Sequence, residues 1–522
     1  MSKNQLYSLW IVLGLFTWNT PAAAEDPGAM LQGLPGVTIK PLLTVGDEIT
    51  GYWIPGLLDG LGAYNRDHHM QLLANHEIMA GEGYPYQLEN GTTLTGARIS
   101  EFHLDKKQLE VVHAGLAFKR IFDRNGKIVT HAEQVSGGLS RFCSARAVRA
   151  GEYGFVDDLY FAGEEIDNGT LFALDVQQQS LWAVPALGRA AFESVTPVKA
   201  PDPGKVALLV GDDMVSAPLY LYTGEKDAVG DQSLLDRNGL QHGRLYCWAS
   251  TEGLRHPLVF KGTGSSAPGE WIALEVRDPA RAGETGHDVN GYLDADTLRH
   301  QARGKGCFVF SRPEDVHENP ADPNQAVFAS TGAGTTYPDD NWGTIYIINV
   351  QTAKLEILLD SDDPGFRDMA LRNPDNLVWA ENGRIYIQED RATHDTLLNP
   401  ACKQDRDCLD TAFGGYSGME ASIWEVIPGK PVQSVEDLRR LAVVDRKNLP
   451  HDQYDHQPED IGNWETSGII DVSAFLERDK NETLLTGTVQ AHSVTGERIQ
   501  QQGLVEGGQL FLMSVQPIRG NP

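Results

Sequence analysis

Carboxylates recur in this chain at one kind of place, the end or the mouth of an apolar run. Asn75, His76 and Glu77 end LLANHE, Glu164 and Glu165 end LYFAGEE, and Asp212 and Asp213 end ALLVGDD. Glu314 and Asp315 stand in SRPED, and Asp375 and Asn376 in NPDN. Glu389 and Asp390 end IYIQED, and Glu465 opens ETSGII. A lone acid beside a turn most often bonds its own backbone. Acids at the ends of several separate strands can instead converge on one axis and offer a cation many hard oxygen ligands, of which calcium takes roughly six to eight. The pattern predicts a metal site drawn from Asn75, Glu77, Glu164, Glu165, Asp212, Asp213, Glu314, Asp375, Glu389 and Glu465.

Arg312 adds a planar fork suited to a phosphate. Pro313 biases the residue before it towards an extended conformation, so Arg312 and Glu314 are expected to share one side while Asp315 turns away as a cap. The chain has five cysteines. Cys402 and Cys408 enclose KQDRD and are expected to close a small loop, and Cys247 and Cys307 are a second candidate pair. Cys143 is left over, as an inert buried thiol or a thiolate ligand. Other chemistries lack their signatures. Ile78-Met79-Ala80 follows His76-Glu77, so H-E-x-x-H is absent, no G-x-S-x-G elbow joins a strand to a helix, and GAGTT at 332–336 lacks the lysine of a phosphate loop.

The formal charge of −29 repels nucleic acid and anionic membrane surfaces and favours cations. Lys3, an apolar run from Leu9 to Trp18 and Ala22-Ala23-Ala24 read as a Sec-type signal peptide over residues 1–24. No later stretch reaches the ~18 apolar residues of a membrane helix. The mature chain is therefore expected in the periplasm or the medium.

The elements that must hold these residues are strands. The stretches 99–112, 169–184, 343–358 and 421–435 each run from an apolar strand through a polar turn into a second strand. Residues 218–226 and 243–250 give two more strands around an inserted loop. With Ile99, Leu171, Leu219, Ile345 and Ile423 as markers, the gap from 219 to 345 is wide enough for two units. The expected fold is all-β, a six-bladed propeller with inserted loops formed by residues 25–522 as one domain, with strand 509–517 completing the first blade. A β-sandwich array is the alternative.

The ordered motifs DGLGAY…LLANHE, GGLSRFC, GDD…LYLYTGEK, SLLDRNG…GRLYCW, GEWIAL, SRPED, NWGTIY and NPDN…GRIYIQED span about 59–392. Together they resemble the PhoX-type alkaline phosphatases. The resemblance implies an exported propeller that hydrolyses phosphomonoesters at a cluster of iron and calcium ions. It places Cys143 as the thiolate ligand, Glu314 on metal with Arg312 beside it, and Asn75, His76, Glu77, Asp212 and Asp213 in the cluster. The expected cofactors are Ca2+ and Fe3+, and the expected partner is a small phosphorylated substrate, with the chain a monomer. Two positions depart from the family pattern, Ser144-Ala145 after the cysteine and Met214 after Gly-Asp-Asp, and no twin arginine precedes export. The alternatives are a calcium-dependent lactonase- or phytase-like hydrolase that does not use Cys143, and a non-catalytic calcium-stabilised propeller.

Overall fold

The computed structural model describes residues 28–517 apart from 365–370, 392–419, 430–431, 433–436 and 459. The segment read as a signal peptide and the Cys402–Cys408 loop lie outside these residues. Six sheets of four or five strands form six blades. Their inner strands are Leu58–Asn65, Phe142–Val148, Phe192–Val198, Pro313–Asn319, Pro374–Trp379 and Glu465–Asp471, for blades 1 to 6. Each inner strand lies against the next, and Glu465–Asp471 returns to Leu58–Asn65 to close the ring. The fold is a six-bladed β-propeller, as the strand pattern predicts.

The blades pack through both faces of their strands. In blade 2, Leu159 and Phe161 join a core shared with blade 3, while Tyr160 and Ala162 join one shared with blade 1. Successive side chains on a strand point to opposite faces, so a strand with two packed faces must be apolar at every position. That is why LYFA and LFAL are unbroken apolar runs. A fully buried Phe161 is worth roughly 1.5–3 kcal/mol relative to its exposed state, and six such cores, one at each blade junction, hold the described ring together.

Two expectations about closure need correction. The wide gap between Leu219 and Ile345 holds no extra blade. It holds the insertion between blades 3 and 4, which carries a helix at Ala295–Lys305 capped by Asp294 and ended by Gly306 at φ 86°. Cys247 and Cys307, which flank this insertion, are disulfide-bonded with their Cα atoms 5.9 Å apart. The sixth blade comes from both ends of the described chain. The strand Gly507–Val515 does not complete blade 1. It lies between Thr483–Ala491 and the N-terminal strand Val37–Thr44, which pairs with it antiparallel and forms the outer edge of blade 6.

Candidate metal centre

The first residues of the inner strands share one local design. In blades 1 to 5 the first residue pairs with the neighbouring strand and the ladder then gains one extra residue before pairing resumes, as between Leu58 and Leu61 or Phe192 and Val195. Such a bulge breaks the simple alternation of faces and re-aims a side chain. The residue it re-aims is the second one: Asp59, Cys143, Glu193, Glu314 or Asp375. Blade 6 adds Glu465 at its first position, with a register shift slightly further on. The glycines of GEE and GDD belong to the same design. A Cβ on Gly163 would overlap Phe192, and one on Gly211 would overlap the Glu314 carbonyl, so each permits the next inner strand to pass closely.

At the mouth of the channel Cys143, Glu193, Glu314, Asp375 and Glu465 line a cavity of about 500 Å³, and Asp59 adjoins it through Glu77 and Cys143. Three overlapping groups form an arc, Asp59–Glu77–Cys143, Cys143–Glu165–Glu193 and Glu193–Glu314–Asp375. Within each group the potential ligand atoms lie within 4.8 Å of one another. The Cys143 thiol donates to Asp59 Oδ2 at 3.2 Å, and Gln490 Nε2 donates to the same oxygen at 2.9 Å. Asp59 Oδ1, Asp375 Oδ1 and both carboxylate oxygens of Glu193 are buried and accept no hydrogen bond from a nitrogen or oxygen donor. A buried acceptor without a donor is costly, and several together make up an oxygen-rich cradle that suits a hard cation. The single thiol adds a softer donor on one side. The residues present therefore fit a cluster of cations.

Electrostatics point the same way. Burial and neighbouring acids push Asp59, Glu165, Glu314 and Asp375 far above the usual carboxylate range. Glu193 is pushed up to about 8 by burial and by Asp213, and Glu465 to about 7 by burial and Asp390. Burial and then Asp59 raise the Cys143 thiol. Buried like charges resist joint ionisation, and only nearby positive charge relieves them. Two arginines supply part of it. Arg312 grips Asp213 in a fork at 2.8 and 3.0 Å, reaches Glu314 Oε1 at 2.7 Å and lies 3.6 Å from Asp390. Burial alone would raise Asp213, but Arg312 outweighs it and holds the carboxyl low. Arg141 pairs with Glu77 and Glu165. His492 is 2.9 Å from Glu506 and 3.5 Å from Glu465, and although burial disfavours its charge, these acids raise it to about 10.

Of the residues singled out by sequence, Cys143, Glu77, Glu165, Asp213, Glu314, Asp375, Glu465 and Arg312 line this cavity. Asn75, Glu164, Asp212 and Glu389 do not. In each acid pair at a strand end only the second member faces the channel, because the first points to the other side. Glu164 accepts the N–H groups of Ser140 and Thr170. Asp212 is gripped by Arg299 of the inserted helix at 2.6 and 2.9 Å. Glu389 accepts from Arg372 N and Trp424 Nε1. Asn75 holds the neighbouring inner strand, donating to Cys143 O at 2.7 Å, and His76, pushed down to about 3 by burial, bonds Gly56 O and Ser100 Oγ.

Sequence reasoning missed Asp59, Glu193, Arg141 and His492. The first two were legible as a repeat. LDGL, FCSA, FESV, PEDV and PDNL all place one ligating residue second, between an apolar or proline residue and a re-entering strand. Arg312 also departs from expectation. It is not extended but left-handed, at φ 68°, as are Leu57, Arg141 and Asn373, each two residues before its blade's channel residue. Such conformations cost of order 1 kcal/mol or more in a non-glycine residue. Even so, Arg312 and Glu314 face the same cavity.

Asp315 does turn away, but it is more than a turn residue. It is buried and accepts Val316 N and, across the blade junction, Leu377 N, each at 2.9 Å. Asp315→Ala should therefore cost about 1–3 kcal/mol of stability. A urea midpoint for the metal-free protein unchanged from wild type would show that the cross-blade bond does nothing.

Residues 149–404 match the model of the alkaline phosphatase PhoX family. No curated protein matches significantly. Among solved structures, Pseudomonas fluorescens PhoX in complex with vanadate, a transition state analogue, superposes with a TM-score of 0.60 at 14% identity, over 94% of this chain and 97% of that one. The catalytic domain of a Coprinopsis cinerea alpha-L-arabinofuranosidase reaches a TM-score of only 0.30 at 10% identity, over 69% and 93% of the two chains, too slight to bear on function. The resemblance read from the motifs is borne out, and the match at 14% identity establishes a shared fold.

Proposed function

We propose that this PhoX-type chain is an exported phosphatase that hydrolyses small phosphate monoesters at the mouth of its channel, with calcium and iron ions held by the carboxylate and thiol ring. The observation that carries the reading is the convergence of Asp59, Cys143, Glu193, Glu314 and Asp375, each second on the inner strand of its blade, with Glu465 at the start of the sixth. In a chain of charge −29, a phosphate dianion needs local positive charge.

When bound, the cations would supply that charge and the Lewis acidity for phosphoryl transfer. Asp59, Glu77, Glu193, Glu314 and Asp375 would hold hard ions, and Cys143 would select iron among them. Arg312 would grip a phosphate oxygen. Its fork edge is fixed by Asp213, so Nη1, on the Asp390 side, is the edge left to share with substrate. Arg141 and protonated His492 would add positive charge at the rim. The cavity of about 500 Å³ suits a small monoester better than a polymer. Among the described residues that line the cavity the Cys143 thiol is raised by burial and so not activated, and we assign the attacking oxygen to solvent. We read the working unit as a monomer, since one chain supplies all six blades around the channel.

The test is elemental analysis and p-nitrophenyl phosphate hydrolysis on protein purified from its natural compartment. Calcium with iron, and turnover that chelation abolishes, is the expected result. Chelation should also lower the melting temperature, and added calcium should restore it, because a ligand bound only by the native state stabilises that state. Cys143→Ser should keep calcium and lose iron. A metal-free protein with full stability, or an active protein whose Cys143→Ser form retains iron, would refute the assignment.

A further inference from the structure

Far from the channel, on the outer part of blade 1, three histidines meet on one face of the sheet. His103 and His113 are direct cross-strand partners, and His69 lies diagonally across on the other side of His103. The ring of His103 is 4.1 Å from that of His69 and 4.8 Å from that of His113, centroid to centroid. Two imidazoles on one ion, with metal–nitrogen bonds of about 2.0–2.1 Å, hold their centroids roughly 5 Å apart. His69 and His103 are stacked with their ring planes 22° apart, so both must turn about their side-chain bonds before their lone pairs converge on an ion shared with His113.

Their hydrogen bonds also set which nitrogens are bare. His103 Nε2 lies 2.5 Å from Glu101 Oε1. A carboxylate accepts only, so Nε2 is the donor and Nδ1 is the nitrogen that faces away from Glu101 and is open to an ion in the neutral ring. His113 Nδ1 lies 3.3 Å from Thr50 Oγ1. That hydroxyl gives its one proton to Ala114 O, so His113 Nδ1 must donate, which leaves Nε2 bare. A carboxylate or hydroxyl behind a ligating histidine is the usual outer support of a metal site, fixing both tautomer and ring orientation. The three rings are half-buried or exposed, so an ion can reach them from solvent.

We propose that His69, His103 and His113, supported by Glu101 and Thr50, form a second metal site that takes a divalent transition ion of the zinc, copper or nickel class. Imidazole nitrogens suit such ions, whereas the hard calcium of the channel reading prefers oxygen. The site is separate from the channel and stands whether or not the phosphatase reading holds.

Zinc should be titrated calorimetrically into the full mature chain already saturated with calcium. One additional equivalent is expected in the wild-type protein. It should be lost in His103→Ala/His113→Ala, with melting temperature and phosphatase turnover unchanged. Glu101→Gln should weaken it by about 10–100-fold, the usual effect of removing an outer partner. Copper(II) bound in place of zinc should show nitrogen coupling in its paramagnetic resonance spectrum, and that coupling should be absent from the double variant, which keeps the channel imidazole of His492. Equal zinc binding by wild type and double variant, or no nitrogen coupling, overturns the site. Should the double variant fold poorly, His69→Ala provides the same comparison.

Discussion

Arg312→Ala is expected to lower phosphomonoester turnover by about 10²-fold or more, the usual consequence of removing a preorganised charged donor. The loss should appear in kcat and kcat/KM together, because a group that acts on developing charge contributes most in the transition state. Arg312→Lys should recover only part of it. Lysine keeps the charge, but it cannot grip Asp213 in a fork while presenting a third nitrogen to the substrate. The metal-free protein should also be less stable as Arg312→Ala, since Asp213 and Glu314 are both buried and lose their cation. Metal loading should narrow that difference. Turnover within severalfold of wild type, in a variant shown to be folded and metal-loaded, would remove Arg312 from the chemistry.

Glu193→Gln should give opposite signs in two measurements on one protein. Glutamine keeps the shape and deletes the charge. Glu193 belongs to two of the three overlapping ligand groups, and neither of its oxygens accepts from a nitrogen or oxygen donor. Without metal, burial and Asp213 push Glu193 up to about 8, so folding at neutral pH must protonate it, a cost that glutamine does not carry, and the melting temperature should rise. With metal, the same change removes a ligand from the middle of the arc. Metal content and turnover should then collapse, by at least about 10²-fold in turnover. A protein less stable without metal, or one that keeps both metal and activity, would mean that Glu193 is an ordinary buried acid. The measurement is a pair of melting curves, chelated and reloaded, beside elemental analysis and initial rates.

The sequence alone determined the elements and the raw material. Unbroken runs such as LYFA and LFAL mark strands packed on both faces, and short polar turns mark hairpins; both are local patterns that need no knowledge of the fold. The acids at strand ends and the uncommitted Cys143 were legible for the same reason. What only the tertiary structure decided is which of those groups converge. Side chains alternate with a period of two, so one extra residue in a bulge changes which neighbour faces the channel. That parity separates Glu165 and Asp213, inside the cavity, from Glu164 and Asp212, turned outward to backbone groups and Arg299. Asp59 and Glu193 were obscured because each is a lone acid inside an apolar stretch, and its value depends on partners from other strands and other blades, such as Cys143 for Asp59 and Glu314 and Asp375 for Glu193. The sixth blade was hidden likewise. Its outer strand, Val37–Thr44, pairs with Gly507–Val515 across nearly the whole described chain, and no local pattern records a contact of that range.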